Sequence, residues 1–214
     1  TAASGTPTGV VTFTVDSAPS VQPLVNAVAT LTRTGLTVGD HAIVAQYGGG
    51  SGFLGSTASV ITQTVNPPNT ATAQTSAPNP SAFGQRVTFT ATVTTDPPGA
   101  VTPAGVVTFT TGSGDLGTGT LDAGGVATYT TPSLGVGSHV VTATFSGANF
   151  VGSTASSITQ TVNQAATTTA LASNAMAAVF GQPVVFTATV ALTAPGVVTP
   201  TGVVTFTAGA SELG

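Results

Sequence analysis

Cysteine, tryptophan and lysine are absent from the 214 residues, methionine occurs once, and charged residues make up only 4%. Each gap removes a class of chemistry. Without cysteine there is no disulfide framework, no thiolate zinc site and no thiol nucleophile, although this does not by itself fix the compartment. Without lysine there is no lysine–asparagine isopeptide crosslink. The two cations, Arg33 and Arg86, and a net charge of -4 leave no basic patch to neutralise phosphates or to dock on anionic lipid. Apolar runs are short and broken by threonine, glycine or proline, and none approaches the roughly 20 residues that cross a bilayer. Neither a nucleic-acid partner nor membrane insertion is therefore expected of this segment. Thr1-Ala2-Ala3-Ser4-Gly5 has neither the basic nor the apolar region of a signal peptide, so any export signal or anchor is expected outside the segment.

What the chain has is threonine, at 44 positions, and repetition. GVVTF begins at Gly9, Gly105 and Gly202. FGQ recurs at Phe83 and Phe180, FTATV at Phe89 and Phe186, GSTAS at Gly55 and Gly152, and ITQTVN at Ile61 and Ile158, giving a period of 97 residues. Aligned without a gap, residues 70–117 and 167–214 agree at 27 of 48 positions. The period is too long for a solenoid or propeller repeat and suits one β-sandwich of roughly 100 residues.

In phase, this predicts three domains: a partial one over 1–66 that holds C-terminal strands, a complete one over 67–163, and a partial one over 164–214 that holds N-terminal strands. The chain is expected to open and close within a repeat. Completion of one partial unit by another between chains is a further reading. Against it, residues 201–214 duplicate what residues 8–20 already supply.

Val87, Phe89, Ala91 and Val93 alternate with Thr88, Thr90, Thr92 and Thr94, the period-two pattern of a strand with one buried face. Seven strands are predicted in the complete unit, over 70–76, 85–94, 105–111, 116–121, 126–131, 139–146 and 156–162. The turn formers Asp96-Pro97-Pro98-Gly99, Asp122-Ala123-Gly124-Gly125 and Gly147-Ala148-Asn149 lie between them. No window carries helical periodicity, so the predicted class is all-β: tandem immunoglobulin-like sandwiches of about seven antiparallel strands in a Greek key. Phe83, Phe89, Phe109, Tyr129, Leu134, Phe145 and Phe150 are expected to fill a core that has no tryptophan or disulfide.

With these motifs in place, the chain resembles the bacterial immunoglobulin-like (Big) domains that occur in tandem in surface proteins. The resemblance rests on Pro78-Asn79-Pro80, Phe83-Gly84-Gln85, Phe89 to Val93, and Pro103-Ala104-Gly105 leading into Val106 to Phe109. It continues through Gly137 to Gly147 and Ile158 to Asn163. Two departures are Tyr47 where the second unit has Phe145, and Asn174-Ala175-Met176 in place of the Pro78-Asn79-Pro80 turn. The resemblance implies an extracellular or cell-surface, tandem, non-catalytic module, and it carries no catalytic residues to transfer.

The candidate sites are few. Five aspartates, one glutamate and two histidines are the whole acid–base inventory. His41 and His139 occupy one repeat position, beside the turn that starts a strand, with no second ligand at metal spacing. Asp96, Asp115 and Asp122 lack the dense carboxylate spacing that calcium requires. Gly48-Gly49-Gly50-Ser51-Gly52 has no following helix or lysine to make a phosphate cradle. No catalytic, cofactor or metal residue and no cofactor is therefore expected. The Thr-x-Thr ladders suit a solvent-facing strand; they also leave O-glycosylation on threonine and ice binding open.

The linkers Val65-Asn66-Pro67-Pro68-Asn69 and Val162-Asn163-Gln164-Ala165-Ala166 are short, and the proline pair stiffens the first. The expected role is a non-catalytic structural repeat of an extracellular bacterial fibre or cell-surface stalk. Its expected partners are neighbouring repeats of the same protein, with self-association into a filament. The alternative is an adhesin module that binds a host protein or glycan through its loops.

Overall fold

A computed structural model describes residues 5–96 and 101–213; Thr1 to Ser4, and Pro97 to Gly99 of one expected turn, lie outside the described residues. The chain divides into two compact units, Thr1–Pro68 and Asn69–Gly214. Every regular element among the described residues is a strand.

The first unit is one antiparallel sheet. Its strands are β1 (Val10–Val15), β2 (Ala18–Pro23), β3 (Gly39–Tyr47), β4 (Ser56–Thr57) and β5 (Ile61–Val65). The order is β2-β1-β3-β4, with β5 also on β3. β1 and β2 join through Asp16 and Ser17, both at positive φ (47° and 71°), the two-residue geometry whose twist matches that of the strands. Residues 29–37 form no strand, although 29–33 stand at the repeat position of 127–131.

The second unit opens with a closed sandwich. One sheet runs β10 (Gly114–Thr120), β9 (Val106–Thr111), β12 (Gly137–Ser146), β14 (Ile158–Asn163) and β7 (Ser81–Ala82), with β13 (Ser153–Thr154) on β12. The other runs β11 (Val126–Thr131), β8 (Val87–Thr95) and β6 (Thr70–Ala77). The predicted strands match these within about two residues. The chain passes between sheets from β8 to β9, from β10 to β11 and from β11 to β12, as a Greek key requires.

Alternation fills the space between the sheets. Val87, Phe89, Ala91 and Val93 from one sheet meet Val107, Phe109, Val141, Ala143 and Phe145 from the other, and all are buried. The rings of Phe89 and Phe109 lie 6.0 Å apart, and Tyr129, opposite Phe89 on the neighbouring strand, stacks on Phe109 at 6.3 Å. Each such side chain contributes on the order of 1.5–3 kcal/mol. Tyr129 reaches this position because residue 117 is glycine; a Cβ there would lie 2.2 Å from the ring.

One expected core residue is not in the core. Phe83 is 39% exposed, because it sits in the turn before β8, where Gln85 closes a loop by taking the Ala82 amide on its side chain and giving its own amide to the Ala82 carbonyl. Phe150, also expected in the core, is partly buried and packs edge-on against Phe145 with centroids 6.2 Å apart.

Past the sandwich lie β15 (Thr167–Ser173) paired with β16 (Phe186–Leu192), and a small hairpin of β17 (Thr207–Ala208) and β18 (Ser211–Glu212). Residues 203–206, which repeat the first four residues of β9, are in no strand.

Candidate functional site

The ionisable side chains are scattered, and among the described residues no group of three or more histidine, aspartate or glutamate residues is placed to hold a metal ion. Arg33 and Arg86 are exposed. Asp122 is absorbed by its own turn, accepting from the amides of Gly124 (2.8 Å) and Val126 (2.9 Å). Asp115 is exposed at the start of β10, beside a register shift in its pairing with β9. These aspartates do not converge.

The histidines do more than end a turn. Each is the third residue of its strand and meets the carbonyl four residues earlier: His41 Nε2 lies 2.7 Å from Thr37 O, and His139 Nε2 lies 2.8 Å from Gly135 O. Only His41 has a second partner. Its Nδ1 is 2.5 Å from Asp16 Oδ2, brought in by the β1–β2 turn. The other Asp16 oxygen accepts from the Ala42 amide at 3.0 Å. The Asp16 carboxylate and then the Thr37 carbonyl raise the His41 pKa; the His41 hydrogen bond lowers that of Asp16. Sequence spacing does not reveal this pair, because the separation of 25 positions is closed by strand pairing. A signal was nonetheless present, since Asp16 stands where the other repeats have Gly112 and Gly209.

A second polar system, half-buried for the most part, seams the sandwich. β6 turns its polar residues inward: Thr70 Oγ1 donates to Val151 O (2.6 Å), Thr72 Oγ1 meets Ser153 Oγ (2.6 Å), and Gln74 Nε2 donates to Val141 O and Ser156 O. Gln160, fully buried, donates to Pro78 O and Ser81 Oγ. Asn79 donates to Thr159 O and accepts from the Thr161 amide. These groups hold strand ends together, while Gln74 Oε1 and Gln160 Oε1 are buried without a hydrogen-bond partner.

A cavity of about 290 Å³ opens between the β15–β16 ribbon and residues 204–213. Leu171, Phe186, Ala188, Val204, Phe206 and Leu213 line it, with threonines and no ionisable side chain. It corresponds to the closed core of the sandwich.

The placement of the unit's ends is the remaining feature. β12 pairs with β14 so that Gly137 faces Val162, while its other end, at Phe145, faces Ser153. Thr70 bonds at the Ser153 end, and the strand leaving through Asn163 does so at the Gly137 end. The chain thus enters and leaves at opposite ends of a ten-residue strand.

Two sheets, antiparallel except for the short β14–β7 pair, with these crossings and an apolar interior define an immunoglobulin-like sandwich module. The chain belongs to the bacterial Ig-like domain family, group 3, which matches residues 1–66 and 74–163. Modules of this kind are generally non-catalytic. Among solved structures, the chain is similar to the fibronectin(III)-like modules of CbhA from Clostridium thermocellum, at 19% identity and a TM-score of 0.38, over 77% of this chain and 83% of that one. No curated protein matches the chain. Among the described residues no helix is long and apolar enough to cross a membrane.

Proposed function

We propose that this chain is a non-catalytic spacer, a run of sandwich repeats in the body of an extracellular bacterial fibre or cell-surface stalk. The observation that carries the reading is the opposed placement of the unit's ends, at Thr70 and Asn163, in a module that recurs with a 97-residue period. A unit entered at one end and left at the other adds its long dimension to the array, roughly 30–40 Å for strands of eight to ten residues. The linkers Val65 to Asn69 and Val162 to Ala166 are short, and the proline pair stiffens the first. Residues 164–214 are read as a third repeat on their identity with 70–117.

Composition supports the fibre form over the lone stalk. Edge strands such as β6 and β10 are normally guarded against lateral pairing by lysine, and this chain has none. The proposed partners are therefore neighbouring repeats of the same protein, along the chain and between chains. Outward threonines such as Thr92 and Thr94 are the proposed positions for any O-linked sugar.

Electron imaging of the native multi-repeat material tests this. Threads with an axial spacing of one or two repeats are expected; compact particles with no axial repeat would contradict it. Purified multi-repeat protein that stays monomeric at high concentration would rule out the fibre form and leave the stalk.

A further inference from the structure

His41 is 6% exposed, and both of its ring nitrogens face oxygens. A carbonyl oxygen and a carboxylate oxygen are acceptors only, so a nitrogen that bonds either must carry the proton. Nε2 faces Thr37 O at 2.7 Å and Nδ1 faces Asp16 Oδ2 at 2.5 Å. Satisfying both contacts at once requires two ring protons, which is the imidazolium form; neutral imidazole carries only one.

We propose that His41 is a proton-operated clamp of the first repeat: doubly protonated, it ties both the β1–β2 turn and residues 31–38 to β3, and when it loses a proton the 31–38 segment lets go.

The order of release follows from bond strength. Of the two contacts, the one to the carboxylate is charge-assisted and stronger, so the remaining proton stays on Nδ1. Nε2 then presents a lone pair to the Thr37 carbonyl, and the contact becomes repulsive. The segment so released has little else to hold it. Residues 29–37 are in no strand, and Arg33 within it is exposed.

The surrounding charges favour the protonated state. From the β1–β2 turn comes Asp16, and from β3 itself Asp40, whose carboxylate accepts from Thr64 Oγ1 on β5. β5 places Gln63, which is uncharged, opposite His41. Arg33 is the one charged group of residues 24–38. Asp16 has independent reason to stay in place, since its own amide donates to Ala42 O at 3.0 Å and its second oxygen takes the Ala42 amide.

Among the described residues, the first repeat forms the clamp and the second does not. At the matching position His139 keeps the carbonyl contact, to Gly135 O, but Gly112 replaces Asp16 and no carboxylate meets its ring. Two repeats of one design therefore differ in this carboxylate contact.

The signs fix the window. His41 is raised above its ordinary 6.5, so its contribution is fully present below pH 6.5 and is lost as pH rises through the raised folded value. Asp16 is lowered below its ordinary 3.8, so its contribution is present above pH 3.8 and is lost as pH falls through the lowered folded value. The clamp is at full strength between these limits.

Imidazole nitrogen NMR on the 214-residue chain provides the test. At pH 6.5 both His41 nitrogens are expected to be predominantly protonated, with a titration midpoint above 6.5. The Val38 amide should shift with the same midpoint. Asp16→Asn should lower the midpoint, His41→Gln should abolish the Val38 titration, and His139→Gln should leave it intact. A neutral His41 tautomer at pH 6.5, or a Val38 amide indifferent to His41 titration, would overturn the proposal.

Discussion

Residues 70–117 and 167–214 agree at 27 of 48 positions, and their structures diverge where partner strands are present or absent. Both form the first ribbon, β6 with β8 and β15 with β16. In the sandwich, β8 also pairs with β11 and β9 with β12, and Phe89 and Val107 are fully buried. In the later segment Phe186 is 48% exposed and Val204 38% exposed, and residues 203–206 take no strand form beside the same sequence pattern. The first unit repeats the lesson in reverse. Its β1, β2, β3 and β5 are well paired, while residues 29–37, whose counterpart pairs with β8, are not in a strand. Strand propensity in these sequences is permissive, and a partner on the sheet decides.

The comparison is broken most forcefully by removing an aromatic. Phe109→Ala should cost the sandwich about 3–5 kcal/mol, whereas Phe206→Ala at the matching position should cost less than about 0.5 kcal/mol. Amide exchange free energies of β9 and β12 against those of β16 read both values. Glycines give the next largest contrast. Gly105 and Gly202 share a positive φ, 154° and 140°, but a Cβ at 105 would lie 2.2 Å from the Ser146 carbonyl, while one at 202 meets nothing within 4 Å. Gly105→Ala should therefore destabilise by about 1–3 kcal/mol more than Gly202→Ala, measured the same way. The smallest effect is a gain. Ala27 holds φ at 64° in the turn where the sandwich has Gly124 and Gly125, so Ala27→Gly should relieve up to about 1 kcal/mol of strain in the first unit, visible as a higher urea midpoint for its amides.

Most of the sandwich could be read from residues. The Val87-to-Val93 alternation named both the buried face and the threonine face, and glycine and proline clusters set the strand limits closely. Two features were hidden for a physical reason. β6 alternates threonine, alanine and glutamine, so its pattern does not say that the polar set faces inward; that follows only when Val151, Ser153 and Ser156 supply partners from about 80 residues away. The Asp16–His41 pair is likewise made by register. Phe83 was misplaced because hydrophobicity alone marks a residue for the core, whereas the turn closed by Gln85 holds it outside the core, 39% exposed.

A spacer must resist extension as closed units, and pulling the chain end to end tests this most directly. Mechanical extension of the 214-residue chain should show one dominant cooperative event, with a gain in contour length of roughly 300 Å from residues 70–163 at about 3.6 Å per residue less the folded length. Residues 167–213 should extend before it, at low force. A smooth extension without that event, or a single event encompassing the whole chain, would contradict the account.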